Sequence, residues 1–421
     1  MDTHIISIGT ELIFGQTVDT NAAWLTRQLA GLGITCAKHV TIADDRAAIT
    51  SAITLASTEA SLILMTGGLG PTPDDITRFA LADALGTELS LHQPSLDQIA
   101  AFFRRRKLPM PDPNRVQAMM PQSADPIENT CGTAPGIHAE INNVDLYAMP
   151  GVPREMQAMF DRDIRPALSH RRLAHGSQDR SVILQHSLQT FGMPEATLGD
   201  KIADLMAPGR NPAVGTSAAD LVISIRMNAN ASSPEEAKGL INADAAEIRR
   251  RLGHVVFGEK DETLAHAVAR LLVDQGKTIA TAESCTGGLI AKRLTDVSGS
   301  SAYMIQGVVP YANEAKHRLL DVPPDLIEAH GAVSPQVAEA MAANCRRLAD
   351  TDYALASTGI AGPTGGTPTK PVGLVYIALA DTAKTTVKEL RLGETLPRQT
   401  IRDRTAKIAL NLLRLRLIGC S

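Results

Sequence analysis

The sequence predicts an α/β protein made of a parallel-sheet domain, a small α+β domain and a second α/β domain. Three observations predict it. A chain of 421 residues is too long for one hydrophobic core. Short apolar runs that close on glycine alternate with stretches of helical apolar spacing in the first and last parts of the chain, the pattern of parallel strands covered by helices. Between those parts, "SHRRLAHGSQDR" (169–180) is polar and has no apolar periodicity, which places a boundary near residue 168.

The elements follow in order. "HIISIG" (4–9) is a first strand, and "NAAWLTRQLAGLG" (21–33) is the helix after it, stopped by glycine. "SLILMTGG" (61–68) is another buried-type strand, and "ITRFALADALG" (76–86) repeats the helix-then-glycine pattern. This domain spans 1–168. Sites in such sheets lie at the carboxyl ends of the strands, where Gly9, Thr10, Glu11 and the loop after Thr66 fall. In 169–258, "VILQHSLQTF", "LVISIRMNA" and "HVVFG" read as strands, with "PEATLGDKIADLM" and "PEEAKGLINADAAEIRRRLG" as helices. The last domain, 259–421, opens on the helix "TLAHAVARLLVDQG" and ends on the amphipathic "QTIRDRTAKIALNLLRLRL" (399–417). Because it has its own strand and helix set, a fragment beginning near Glu259 is expected to fold alone and keep its activity.

Composition narrows the function. A net charge of −4 and 3% aromatic residues leave neither the basic field nor the stacking surface of a nucleic-acid binder. The run Arg104, Arg105, Arg106, Lys107 reads as a solvated helix end. No stretch reaches the roughly 18 apolar residues of a membrane span, and "MDTHIISIGTEL" is not a signal peptide. Five scattered cysteines without a C-x-x-C pair read as reduced thiols in the cytoplasm.

Candidate chemistry lies in three glycine-rich stretches. In "TGGLGPTPDD" (66–75), Gly67, Gly68 and Gly70 let backbone N–H groups approach an anion at the start of the next helix, with Thr72 beside them. One of Asp74 and Asp75 suffices as a helix cap. A second carboxylate beside a phosphate cradle, together with Glu11, is a candidate ligand set for Mg2+ or a similar divalent ion. In "TIATAESCTGG" (278–288) a strand runs into a tight turn carrying two candidate nucleophiles, Ser284 and Cys285. The amides of that turn are placed for an oxyanion hole, although a serine there is also a common helix cap. A serine needs a base. His317 lies beside Lys316 in "YANEAKHRLL" and points elsewhere, whereas a desolvated Lys316 can act as base. "STGIAGPTGGTPTKP" (357–371) is no P-loop, because Thr369 and Pro371 flank Lys370. A Gly/Thr loop after the strand "YALAST" can still hold a phosphate.

These motifs together resemble a known family. "GTELIFGQTVDTN", "TGGLGPTPDD" and "MPGVPREM" are similar to the molybdopterin-binding fold of molybdenum-cofactor biosynthesis proteins, and more narrowly to the N-terminal domain of the CinA (competence/damage-inducible) family. "AESCTGG", "GVVPYANEAK" and "STGIAGPTGGTPTKPVG" are similar to that family's C-terminal domain. The middle segment resembles its KH-type domain. It lacks the G-x-x-G loop of an RNA-binding KH module and reads as a structural spacer.

The resemblance implies a nicotinamide mononucleotide deamidase in the C-terminal domain, without a cofactor. Ser284 and Lys316 match the catalytic pair. Glu283, Thr286, Gly287, Tyr311, Thr358, Gly359, Gly362 and Arg398 match substrate positions, although "GETLPRQTIR" departs from the usual "GDR" around Arg398. Cys285 becomes a packed small hydrophobe. For the N-terminal domain the resemblance implies a metal-dependent ADP-ribose pyrophosphatase, with Gly67, Gly68, Gly70 and Thr72 at the substrate and Asp74, Asp75 and Glu11 at the ion. A homodimer with small-nucleotide substrates, bound to neither nucleic acid nor membrane, completes the expectation. The rival from another class is a non-catalytic pterin- or nucleotide-binding regulatory protein linked to competence or DNA damage, which fold alone does not separate from an enzyme.

Overall fold

The computed structural model describes residues 2–174 and 182–420, so the polar tract expected at the first boundary lies partly outside the described residues. The chain divides into two compact units, Met1–Gln185 with Ala229–Gly239, and His186–Asn228 with Leu240–Ser421.

The first unit is built on a six-stranded sheet, in the order Thr35–Ile42, Asp2–Ile8, Leu62–Thr66, Val144–Met149, Gly136–Ile141, Ala124–Ile127. The first four strands run parallel. Successive residues point to opposite faces: Ile6, Ile63 and Met65 pack with Ile49 and Ile53 on one side. Ile5, Leu62 and Leu64 pack with Leu25, Leu29 and Phe160 on the other. The expectation of a parallel sheet is corrected at one edge, where the last two strands are antiparallel. The cause is local. Asn142 and Asn143 adopt left-handed φ of 53° and 61°, the two-residue hairpin geometry that asparagine tolerates, and a parallel return needs a much longer crossover. The basic run ends the helix Gln93–Arg105 and is exposed, and the Arg106 guanidinium lies 3.5 Å from the centre of the Phe102 ring.

Residues 182–259 form a four-stranded sheet in the order Ala213–Ala219, Val222–Ala231, Val182–Phe191, Val256–Glu259. The strand Ala213–Ala219 gave no sequence signal, because Gly215, Thr216 and Ser217 supply no apolar alternation. The helix expected over 194–206 is shorter, Glu195–Lys201, with Gly199 weakening it from inside.

The C-terminal sheet has five strands in the order Met304–Val308, Ile279–Glu283, Tyr353–Gly359, Leu374–Ala380, Thr385–Arg391. The first three are parallel and the last two join antiparallel. One face packs Ala280, Ala282, Ala354 and Ala356 against the helix Pro335–Ala349. The other buries Ile279, Leu355 and Ile377 against Val268, Ile290 and Leu410, and the same cluster contains Phe191 and Phe257 of the four-stranded sheet. The middle segment therefore shares a core with the C-terminal one. The fragment beginning near Glu259, which the sequence pattern expects to fold alone, would lack both phenylalanines of that core.

Candidate active site

The strand Ile279–Glu283 is buried throughout and delivers Glu283 to the sheet's carboxyl edge. The Glu283 carboxylate accepts from Ile290 N at 2.9 Å and Ala291 N at 2.7 Å. It thus satisfies amides that the start of the helix Leu289–Thr295 would leave unpaired. Glu283, expected at the substrate, is instead the staple of the turn. Gly287 and Gly288 reverse the chain at φ 59° and 89°, left-handed values that glycine adopts without strain. Gly288 holds the helix N-cap position, so Ser284 is not the cap that a bland reading allows. Ser284 is half-buried, and its own N–H is tied to Ser357 O at 2.9 Å. The amides of Gly287 and Gly288 donate to no acceptor among the described residues.

Lys316 comes from the helix Asn313–Leu320 and is 1% exposed. Its Nζ donates to Pro310 O and Tyr311 O, both at 3.1 Å, and lies 3.4 Å from Ser284 Oγ. It forms no ion pair among the described residues. Burial pushes its pKa below the ordinary lysine value, opposed in part by Cys285 and Glu314. His317 turns away, with Nδ1 3.1 Å from Val322 O. Cys285 is buried, and burial pushes its thiol up to about 11. At neutral pH it stays protonated, the unreactive form.

Further substrate candidates divide into builders and reachers. The Thr286 hydroxyl is 2.6 Å from that of Ser357, and Thr358 Oγ1 donates to Ala332 O at 2.7 Å. A side chain at Gly359 would meet Leu374 O at 2.8 Å. These three residues build the base of the site. Tyr311 and Arg398 reach over it: Arg398 Nη2 donates to the Tyr311 hydroxyl at 3.0 Å and Nη1 to Gly362 O at 2.9 Å. Three separate motifs meet there. Arg402, one turn beyond Arg398, donates to Thr286 O at 2.7 Å, and its Nε is buried without a partner.

The N-terminal loop is organised differently. Asp75 accepts from Gly70 N and Thr72 N, each at 2.8 Å, and from the Thr72 hydroxyl at 2.5 Å. The Gly70 amide, expected to face a phosphate, and the Thr72 amide are thus taken by the protein's own carboxylate. Asp74 also accepts from the Thr72 hydroxyl, which holds its carboxyl below the usual range. Neither aspartate caps the following helix, Thr77–Leu85, whose N-cap position is Ile76. Gly67 and Gly68 are left-handed, and a side chain on either would collide with Ile8 O or Thr77 Oγ1. Beneath the loop, Arg78 is 1% exposed and donates to Leu69 O and Gly70 O. Burial lowers its pKa to about 10. Glu11, on the short helix Thr10–Ile13, folds back against Gly9. Among the described residues no three His, Cys, Asp or Glu side chains gather where they could hold a metal ion. The expected set of Asp74, Asp75 and Glu11 is therefore not a carboxylate cage, because Asp75 is committed to the loop amides.

The comparisons with known proteins agree on one family. The model of the CinA C-terminal domain matches residues 261–417, that of the probable molybdopterin binding domain matches 4–170, and that of the damage-inducible protein CinA KH domain matches 185–258. A CinA-like protein of Geobacter sulfurreducens is 44% identical over 419 residues, 99% of this chain and 100% of its own. The chain belongs to the CinA family. A putative competence-damage inducible protein of Symbiobacterium thermophilum is 41% identical, covering 100% of this chain and 99% of its own. Among solved structures, the competence/damage inducible protein CihA from Agrobacterium tumefaciens is 41% identical, with a TM-score of 0.36, and the match covers 37% of this chain and 93% of that one.

Family motifs carry side chains whose roles the sequence did not reveal. Asn21, within "GTELIFGQTVDTN", donates to Thr66 Oγ1 at 3.1 Å and to Gly151 O at 2.8 Å, tying three CinA motifs together. Asp44 lies outside the motifs and accepts from Thr10 N at 2.8 Å. Arg402 had a usable signal, since a second arginine four residues after Arg398 shares its helix face. No helix among the described residues is long and apolar enough to cross a membrane.

Proposed function

We propose that the C-terminal domain hydrolyses the carboxamide of nicotinamide mononucleotide to nicotinic acid mononucleotide and ammonia. The supporting observation is a buried Lys316, without an ion pair among the described residues, whose Nζ lies 3.4 Å from Ser284 Oγ. A lysine disfavoured as a cation by burial is a competent base for a serine hydroxyl, and contacts of this kind tighten when substrate fills the site. Ser284 Oγ attacks the carboxamide carbon as Lys316 takes its proton, and the carbonyl oxygen becomes an oxyanion facing the amides of Gly287 and Gly288. Lys316 returns the proton to the leaving nitrogen, the C–N bond breaks and ammonia departs, leaving an ester on Ser284. Water then attacks the ester with Lys316 again taking the proton. The C–Oγ bond breaks, Oγ regains that proton, and the nicotinate product is freed. Arg398 and Arg402, guanidinium groups without carboxylate partners among the described residues, are suited to the substrate phosphate. Ammonia release from the mononucleotide by the purified full chain tests this reading; no release from the folded protein overturns it.

A second reading concerns the N-terminal domain, which we propose hydrolyses a diphosphate such as ADP-ribose. It is supported by Asp74, an exposed carboxylate at the mouth of a glycine loop at the sheet's carboxyl edge. A divalent ion there would be held by Asp74 and substrate oxygens rather than by a protein cage, and would neutralise the diphosphate charge. ADP-ribose hydrolysis measured with and without chelator is the test. Undiminished turnover in chelator removes the ion, and binding without turnover favours the regulatory alternative.

A further inference from the structure

We propose that Asp220, at the tip of the hairpin joining Ala213–Ala219 to Val222–Ala231, is a positioning residue for the C-terminal site. It clamps the helix Arg398–Leu417 so that Arg398 and Arg402 face the substrate. The proposal rests on the deamidase reading above.

The hairpin turn is two residues long, Asp220 and Leu221, at φ 48° and 73°. Such turns favour left-handed geometry but draw on Asn, Asp and Gly. A leucine there is strained, and strain of this kind persists only where the surroundings over-determine it. Leu221 is 40% exposed, so its own packing is a poor reason to keep it. The contacts of Asp220 supply a better one, because they go to the final helix. Arg404 Nε donates to Oδ1 at 2.9 Å, and Lys407 Nζ donates to both Oδ2 and the backbone oxygen at 3.0 Å.

The network continues toward the site. Lys407 also pairs with Asp403 at 2.8 Å, and Asp403 accepts from Arg293 of the helix Leu289–Thr295. The hairpin tip is thereby connected to both helices that flank the Ser284 turn. The final helix starts after Pro397 with no side-chain cap, and uncapped first turns are where helices open locally. Arg398 and Arg402 sit in those first turns. Arg404 and Lys407 follow within the next turn and a half and carry the tie to Asp220. Releasing the tie lets the guanidinium groups wander, and paired N–H contacts to a phosphate tolerate little misplacement. The pKa of Asp220 is lowered first by a hydrogen bond with the Asp403 carboxyl and then by Arg404 and Lys407, against the cost of burial, which agrees with a carboxylate kept charged at the helix. The middle segment thus acts on the catalytic domain as well as linking it to the first.

The test uses the full chain and nicotinamide mononucleotide. Asp220→Asn is expected to raise KM about 5- to 10-fold with kcat within about twofold, the signature of lost binding rather than lost chemistry. Asp220→Glu is expected to restore KM. Leu221→Gly, which relieves the strained turn without touching an ion pair, is expected to leave it unchanged. Amide hydrogen exchange supplies a readout independent of substrate: Asp220→Asn should speed exchange about tenfold in residues 398–407 while leaving 279–283 unaltered. An unchanged KM, unchanged local exchange, or faster exchange throughout the domain each overturns the clamp. If the wild-type protein releases no ammonia, the deamidase reading has failed, and the exchange measurement alone decides whether Asp220 holds the helix.

Discussion

Two glycine turns in this molecule start alike and end with different chemistry. Each follows a fully buried strand of a parallel sheet, Leu62–Thr66 in one and Ile279–Glu283 in the other. Each is shaped by a carboxylate that accepts backbone amides: Asp75 from Gly70 and Thr72, Glu283 from Ile290 and Ala291. The difference lies in what remains. At the C-terminal turn Glu283 holds the helix from behind, and Ser284 faces a buried lysine. At the N-terminal loop Asp75 occupies the amides itself, and the cation beneath, Arg78, donates to carbonyl oxygens. The same device therefore sets a serine beside a buried lysine in one domain and leaves an exposed carboxylate in the other.

The largest expected effect separates the two directly. Ser284→Ala should cut ammonia release by about 10³-fold or more and leave ADP-ribose hydrolysis untouched. Loss of both activities would mean that the turns are not independent.

Next comes the base. Lys316→Met should lower kcat/KM by about 10²- to 10⁴-fold, the usual scale for removing a general base. The pH dependence has a fixed sign. A lysine can act as base only when neutral, and burial lowers the folded pKa of Lys316 below 10.5. The rate should therefore rise with pH through that lowered value and level off above it. The rising limb should vanish in the methionine variant; a limb that survives there belongs to another group.

How far these sites were legible depends on what each residue does. Ser284 and Lys316 could be paired in the sequence because their motifs are long and a serine demands a base. The Glu283 staple could not. Its partners, Ile290 and Ala291, are backbone groups, and sequence carries no mark for an amide that needs an acceptor. The role of Asp75 was missed for the same reason, since paired acids before a helix read as one cap and one metal ligand until the loop is seen to curl around Asp75. In the fold, the strands Asp2–Ile8 and Leu62–Thr66 were evident from apolar runs, whereas Ala213–Ala219 was invisible because its residues are small and polar. The Asn142–Asn143 hairpin had a signal in its paired asparagines.

Asp75→Asn sharpens the comparison from the other side. An amide side chain offers one acceptor oxygen where the carboxylate offers two, so Gly70 N and Thr72 N compete for it and the NH2 group faces a donor. ADP-ribose hydrolysis is expected to fall about 100-fold, since displaced positioning groups alone reach that scale, with deamidation intact. Retained hydrolysis would show that Asp75 only shapes the free loop. Glu283→Gln is the matched experiment at the other turn. It leaves one buried amide poorly paired, at a cost of about 1–3 kcal/mol. The midpoint of thermal unfolding should fall and deamidation should drop about tenfold. A variant as stable and active as the wild type would remove the staple.

The smallest expected effect belongs to Cys285, the residue beside Ser284. Cys285 is intrinsically the better nucleophile, because a thiolate outruns a hydroxyl, but only as thiolate. Burial raises its pKa to about 11, and Glu283 pushes in the same direction. At pH 7 the thiolate fraction is then on the order of 10⁻⁴. The side chain is 6% exposed and belongs to the core cluster with Ile290 and Leu355, so its energetic role is packing. Cys285→Ala should leave ammonia release within about threefold of wild type, with a stability loss of about 1 kcal/mol, the scale of one lost buried group. Thiol-directed alkylation should be slow and should not track inactivation. Turnover of the Ser284 and Cys285 alanine variants in one assay decides the matter. An active serine variant beside a dead cysteine variant would reverse the roles and leave Lys316 polarising a thiol.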